Sequence, residues 1–143
     1  MRLAVHTTVL AMLPAVLCRA ATPPSVEDQV LGEWQMIYDT KDANGNNRLD
    51  DAERKPPSAD RKGDATGYIQ LRAGGMFVFD KNLKLKGAYT IRKNSEQQAP
   101  YRELVLDPQD KEIGQYRFLI ISVSDKELVL SPSNKTFWVY VRP

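Results

Sequence analysis

The chain has 143 residues, which is the length of about one domain. Its 20 Lys and Arg residues nearly balance 18 Asp and Glu residues. The formal net charge of +2 argues against nucleic acid as a partner, because phosphate binding needs a basic surplus or a basic stripe.

An apolar run over residues 3–17 follows the cation Arg2 near the start of the chain. Residues 18–20 then form the small-x-small sequence that signal peptidase cleaves. The run is too short for a permanent membrane helix, which takes about 20 apolar residues. We therefore predict a signal peptide over 1–20 and a mature domain over 21–143, located in the periplasm or secreted.

Loss of the signal peptide would remove His6 and Cys18, the only His and the only Cys. The mature chain would then have no Ser-His-Asp triad, Cys nucleophile, disulfide, haem-ligating His or zinc site built from Cys or His. Two alternatives remain. The apolar run could be a buried helix, or cleavage just before Cys18 could give an outer-membrane lipoprotein, the only form that would contact a membrane. Leu17 is larger than the residue that ordinarily precedes a lipidated cysteine. We therefore favour cleavage after Ala20 and release of the protein over lipidation at Cys18.

Within 21–143, Ser25 is placed as the N-cap of a capping box for a short helix that Gly32 ends. A strand over 33–38 and a long polar loop over 39–66 follow. Short strands separated by turn residues fill the rest, over 68–72, 76–80, 83–92, 102–106, 115–123, 127–130 and 136–141. Eight strands at this spacing predict an all-β antiparallel sandwich or barrel with a short N-terminal helix.

Alternation along these strands predicts which side chains point inward. They are large and apolar, so they could fill the interior completely. The candidates are Trp34, Met36, Tyr38, Ile69, Leu71, Phe77, Phe79, Tyr89, Ile91, Leu104, Leu106, Phe118, Ile120, Leu128, Leu130, Phe137 and Val139.

Residues 42–53 match the twelve-residue calcium loop of EF hands. Oxygen-bearing side chains occupy the first, third, fifth, ninth and twelfth positions, and the seventh contributes a backbone carbonyl. Ca²⁺ takes six to eight oxygen ligands, and a final Glu can supply two of them. We therefore predict one Ca²⁺ held by Asp42, Asn44, Asn46, the Arg48 carbonyl, Asp50 and Glu53.

The loop departs from the EF-hand pattern in three respects. The sixth position, normally Gly, is Asn47, which tolerates positive φ better than most residues. Only three of the side-chain ligands are carboxylates, which predicts an affinity in the range of extracellular modules. Pro56 and Pro57 end any following helix after about a turn. The alternative is a metal-free surface turn rich in Asn and Asp.

Gly32-Glu33-Trp34 at the start of the first strand resembles the G-x-W signature of lipocalins. The chain is most similar to the short lipocalin-like domains of exported bacterial proteins. That resemblance implies a small eight-stranded antiparallel up-and-down β-barrel over about 26–142. It also implies that Arg142, just beyond the last strand, packs over Trp34.

These observations favour an exported, non-catalytic, calcium-binding barrel that holds a small apolar ligand. The alternative is a structural or protein-interaction module of the cell envelope, stabilised by calcium and contacting an envelope protein. A glycosidase-like hydrolase would need paired carboxylates, and nothing marks such a pair outside the loop. No nucleotide-binding glycine motif is present.

Overall fold

The computed structural model describes residues 21–56, 67–80, 82, 85–94, 101–133 and 135–143. The expected signal peptide and Cys18 lie outside the described residues, as does the 57–66 part of the expected long loop. No helix within the described ranges has the length and apolar character needed to cross a membrane.

The described strands form one closed antiparallel barrel in which each strand pairs with the next in sequence and the last pairs with the first. This confirms the predicted all-β, eight-stranded up-and-down barrel with a short N-terminal helix. The elements are α1 (Val26–Gln29), β1 (Gly32–Lys41), β2 (Tyr68–Arg72), β3 (Met76–Phe79), β4 (Leu85–Lys93), β5 (Arg102–Pro108), β6 (Tyr116–Val123), β7 (Glu127–Ser133) and β8 (Thr136–Val141), with a 3₁₀ turn at Asp51–Glu53.

Three strands are longer than the sequence predicts. β1 continues to Lys41, β5 to Pro108 and β7 to Ser133, so part of the expected loop and two expected turns are strand. The reason is pairing across the sheet, since Lys41 lies opposite Thr136 of β8 and Pro108 lies opposite Gly87 of β4. Polar residues extend a strand readily where a neighbouring strand offers backbone partners.

The short helix α1 begins as predicted at Ser25, whose side-chain oxygen accepts the Asp28 N–H at 3.2 Å. The predicted reciprocal capping box is replaced by a different contact. The Ser25 hydroxyl donates to the Asp28 carboxylate at 2.7 Å, so the acidic side chain binds the cap's side chain rather than its backbone.

One end of the barrel is closed by Trp34, which has no solvent exposure. Its indole N–H donates to the Val30 carbonyl at 2.8 Å, which satisfies the ring's only polar group. The Arg142 guanidinium lies 4.1 Å from the centre of the indole ring, as the resemblance implied.

Arg142 also connects the N-terminal segment to the turn between β6 and β7. Its three nitrogens donate to the carbonyls of Asp125 at 2.9 Å, Leu31 at 2.9 Å and Gln29 at 3.1 Å. Gly32 has a φ of +114°, and a Cβ there would collide with the Arg142 guanidinium. Glycine at the first position of the G-x-W triplet is therefore required both by its backbone conformation and by the space that Arg142 occupies.

The barrel interior is packed with apolar side chains, which confirms most of the predicted inward set. The buried interior cluster is Val30, Trp34, Met36, Ile69, Leu71, Phe77, Leu104, Leu106, Phe118, Ile120, Leu128, Leu130 and Tyr140. Phe79, Tyr89 and Ile91 pack against it and are partly buried.

A bulge at Ile37 reverses the direction of side chains along β1. Met36 lies opposite Tyr140 of β8, but Tyr38 lies opposite Val139, so Ile37 is an extra residue. Side chains alternate between the two faces of a strand, so one extra residue moves Tyr38 to the outer face. The predicted placement of Trp34, Met36 and Tyr38 on a single face is therefore wrong for Tyr38.

The outer face of the barrel carries a second buried group, which we call the exterior cluster. It comprises Tyr38, Val129, Phe137 and Val139, with Ile37, Leu49 and Ile121 packed against them. The predicted inward placement of Phe137 and Val139 is also wrong. In β8 the interior positions belong to Trp138 and Tyr140, and the sequence signal is ambiguous because every residue from 137 to 141 is apolar.

Candidate metal centre

The segment 42–53 follows β1 and packs against the outside of the barrel. The Asp42 N–H donates to the Lys135 carbonyl at 3.1 Å, which extends the pairing of β1 with β8 by one residue. Seven residues later, Leu49 packs into the exterior cluster. The apolar eighth position of the loop therefore fixes the loop to the barrel.

The chain winds around the carboxylate of Asp42, which is only 9% exposed. One oxygen accepts the Gly45 N–H at 2.8 Å and the other accepts the Asn47 N–H at 2.9 Å. Asn47 has a φ of 57°, so the sixth position does adopt the left-handed conformation that glycine ordinarily provides there. The first and sixth positions thus meet as the loop pattern requires.

The amide oxygens of Asn44 and Asn46 each accept the N–H two residues further on, at 3.0 and 2.8 Å. Their amide nitrogens both donate to one oxygen of Asp50, at 2.7 and 2.8 Å. The hydrogen bonds from Asn44 and then Asn46 lower the pKa of the Asp50 carboxyl, and the charge of Arg48 lowers it further. The Arg48 side chain is exposed, which leaves its backbone carbonyl as the only loop ligand expected from that position.

Glu53 joins the end of the loop to its beginning and is 7% exposed. One carboxylate oxygen accepts the Ala43 N–H at 2.7 Å, and the other accepts the Asp50 N–H at 3.1 Å. The 3₁₀ turn at Asp51–Glu53 makes this possible, because its Glu53 N–H to Asp50 carbonyl bond of 2.9 Å turns the side chain back. The twelfth position is thus placed to close the loop.

Two contacts hold the segment after the loop, and sequence reasoning missed both. Arg54 makes a paired contact with Glu127 at the start of β7, with distances of 2.8 and 3.1 Å. Hydrogen bonding to Glu127 raises the pKa of Arg54. Lys55 donates to the Asp39 carbonyl at 3.2 Å. In the sequence these are two charged residues 73 positions apart, and nothing there predicts that they pair.

The structure brings all six predicted ligand residues into one short, closed loop. Within the described part of the chain, however, no three His, Cys, Asp or Glu side chains are grouped as ligands of one metal ion. The carboxylates of Asp42, Asp50 and Glu53 instead accept N–H groups of the loop itself. A carboxylate or amide oxygen has two lone pairs, so an oxygen that accepts one N–H keeps a lone pair for a cation.

Aromatic side chains line the barrel interior near the end opposite Trp34. Phe79 lies 5.6 Å from Tyr116 and 6.4 Å from Phe118, and Phe118 lies 5.5 Å from Trp138, all measured between ring centres. Phe118 is 3% exposed, whereas the other three are partly exposed. This end of the barrel therefore presents apolar ring surface toward solvent.

No protein-family model, no curated protein and no solved structure matches this chain.

Proposed function

We propose that the chain is an exported, non-catalytic calcium-binding barrel of the lipocalin-like kind. Ca²⁺ would be held by Asp42, Asn44, Asn46, the Arg48 carbonyl, Asp50 and Glu53. The bound ion would supply positive charge that gathers these oxygens and stabilises the long connection between β1 and β2. No residue is assigned a catalytic role.

The observation that carries this proposal is the conformation of Asn47. A non-glycine residue with a φ of 57° is uncommon, and here it directs its N–H to the carboxylate at the first position of the loop. That is the backbone geometry for which the calcium-loop pattern normally uses glycine. An ordinary Asx turn needs only a contact over two or three residues, whereas this one spans five.

Glu53 gives independent support, because a carboxylate that is 7% exposed is rare without a strong partner. Its two oxygens point back to the first and last parts of the loop, where a closing bidentate ligand belongs. The lipocalin-like assignment draws support from the closed eight-stranded barrel and from the stacking of Arg142 on Trp34.

Calcium titration by calorimetry on residues 21–143, with melting followed in parallel, tests the proposal. We expect one site and a melting temperature that rises with calcium once its concentration exceeds Kd. Glu53→Gln should weaken binding most, because it removes the charge of the closing ligand. Asp110→Asn is a matched control, since this carboxylate lies in the turn after β5 and accepts the Glu112 N–H within that turn. If no calcium binds at millimolar concentration, residues 42–53 form a metal-free surface turn and the proposal is wrong.

A second candidate function is the binding of a small apolar ligand at the aromatic end of the barrel. The partly exposed rings of Phe79, Tyr116 and Trp138 favour it, because a group of apolar side chains that faces solvent is typical of an interaction site. Titration with a fluorescent apolar dye tests it. We expect Trp138→Ala to reduce dye binding and Met76→Ala, an exposed apolar residue on the outer face of β3, to leave it unchanged.

The localisation is part of the same proposal. We propose cleavage after Ala20 and release to the periplasm or the medium, with an outer-membrane lipoprotein as the alternative. Mass spectrometry of the exported protein decides between them, since an N-terminal Ala21 supports release and an acylated Cys18 supports the lipoprotein. An envelope protein partner remains the alternative to a small ligand, and co-purification with and without calcium would reveal it.

A further inference from the structure

Tyr101 contacts the calcium loop from a distant part of the chain. It immediately precedes β5, which begins at Arg102, and it lies 54 residues from Asn47 in sequence. Its hydroxyl donates to the backbone carbonyl of Asn47 at 2.8 Å. The twelve-residue loop pattern has no position for a residue outside the loop, so the sequence alone does not predict this contact.

This hydrogen bond acts on one particular peptide group, the one that joins Asn47 to Arg48. Its oxygen is held by Tyr101, and its N–H donates to the amide oxygen of Asn46 at 2.8 Å. The peptide group is planar, so fixing its oxygen and its N–H fixes its whole orientation. The next carbonyl along the chain belongs to Arg48, the backbone ligand in the proposed calcium site.

The preceding peptide group is held as well, from inside the loop. The Asn47 N–H donates to Asp42 at 2.9 Å, so Asn47 is bound on one side by a proposed metal ligand and on the other by Tyr101. A left-handed conformation at a non-glycine residue is unfavourable by itself and persists only where its surroundings hold it. Tyr101 provides that support from the β5 side of the barrel.

We propose that Tyr101 is a positioning residue of the calcium site. It would hold the Asn47–Arg48 peptide group so that the Arg48 carbonyl faces the ion, although Tyr101 itself would not touch the metal. The inference rests on the proposed calcium function. It adds that calcium affinity depends on a residue outside the loop, so the isolated twelve-residue sequence binds calcium more weakly than the folded barrel does.

The test compares Tyr101→Phe with Tyr89→Phe in the full mature chain. Each variant removes one hydroxyl that donates to a backbone carbonyl, since the Tyr89 hydroxyl donates to Arg72 at 3.1 Å, at the start of the turn between β2 and β3. Calcium titration should show a Kd raised about three- to tenfold for Tyr101→Phe, the range expected for the loss of one hydrogen bond. For Tyr89→Phe we expect less than a twofold change.

Melting with and without excess calcium separates positioning from general stability. A positioning role reduces the calcium-induced rise in melting temperature at a fixed calcium concentration, because that rise depends on Kd. A Tyr101→Phe protein that melts earlier without metal but keeps the wild-type Kd would overturn the inference while leaving the calcium function intact. Equal weakening by both variants would also overturn it. If the wild-type protein does not bind calcium, the proposed function fails first and the inference fails with it.

Discussion

The guanidinium carbon of Arg142 lies 4.1 Å from the centre of the Trp34 ring, although the two residues lie near opposite ends of the described part of the chain. Both are placed by the closed barrel, since β1 pairs directly with β8. The cation covers the ring face while its N–H groups bind three backbone carbonyls. This arrangement joins both termini of the fold at one end of the barrel.

A double-mutant cycle with Trp34→Phe and Arg142→Met measures this contact. A cation stacked on an aromatic ring contributes about 0.5–2 kcal/mol depending on burial, so the two changes should not be additive in the free energy of unfolding. Each single change also removes hydrogen bonds to carbonyls, and the cycle cancels those separate losses. Urea denaturation of the four proteins gives the coupling. A value within about 0.3 kcal/mol of zero would show that the stacking is without energetic consequence.

At Gly87 the backbone of β5 lies directly against the Cα of β4 and leaves no room for a side chain. A Cβ at this residue would collide with the Asp107 carbonyl oxygen and lie 2.8 Å from the Cα of Pro108. Both obstacles are backbone of a paired strand and cannot move aside as a flexible side chain could. The pairing runs without a register shift through Gly87, so the glycine serves this close approach and does not form a bulge.

We therefore expect Gly87→Ala to destabilise the fold by roughly 1–3 kcal/mol, the usual cost of inserting atoms into a filled space. Ala88→Ser is the control, because Ala88 is exposed on the outer face of the same strand and should change stability by less than about 0.5 kcal/mol. Thermal melting of both variants checks the comparison. Equal melting temperatures would mean that β5 can move away from β4.

Strand number, order and most of the interior could be predicted from the sequence, because alternation and turn residues are local signals. The first part of β1 shows this, with Trp34 and Met36 facing inward as expected. Beyond Ile37 the prediction fails, because a one-residue bulge leaves no mark in an apolar run that continues through Tyr38. The bulge hides the exterior position of Tyr38, and the all-apolar run over 137–141 hides those of Phe137 and Val139.

In the candidate site, the local part was predictable and the distant part was not. The winding of residues 42–53 around Asp42 follows from residue types at fixed spacing, and the structure has that winding. The contacts of Tyr101 with Asn47 and of Glu127 with Arg54 join segments far apart in sequence. No spacing rule could have paired them, since each depends on how the strands are arranged in the closed barrel.

Asn47 should tolerate glycine much better than alanine. Its φ of 57° lies in the left-handed region, which costs an ordinary L-residue about 1–2 kcal/mol and costs glycine very little. We expect Asn47→Ala to be less stable than Asn47→Gly by about 1 kcal/mol in the absence of metal. Urea denaturation in the presence of a chelator measures the difference. Equal stability of the two variants would show that residue 47 leaves the left-handed conformation in solution.

Asp50 should make stability depend on pH in the acidic range. Hydrogen bonds from the amides of Asn44 and Asn46 lower the pKa of its carboxyl in the folded protein below the ordinary value of about 3.9. The folded state therefore favours the ionised form more than the unfolded state does. This stabilisation is present at pH values above the ordinary pKa, and it is lost as the pH falls through the lowered pKa of the folded protein.

Metal-free unfolding measured between pH 6 and pH 3 tests this linkage with a matched series of variants. The wild-type protein should lose more stability below about pH 4 than Asp50→Asn, which has no carboxyl to titrate at that position. Asn44→Ala removes the contact that lowers the pKa of Asp50 most, so its profile should fall between the two. Parallel curves for all three proteins would show that the amide contacts to Asp50 do not persist in solution. A steeper acid loss in Asp50→Asn than in wild type would contradict the sign of the shift itself.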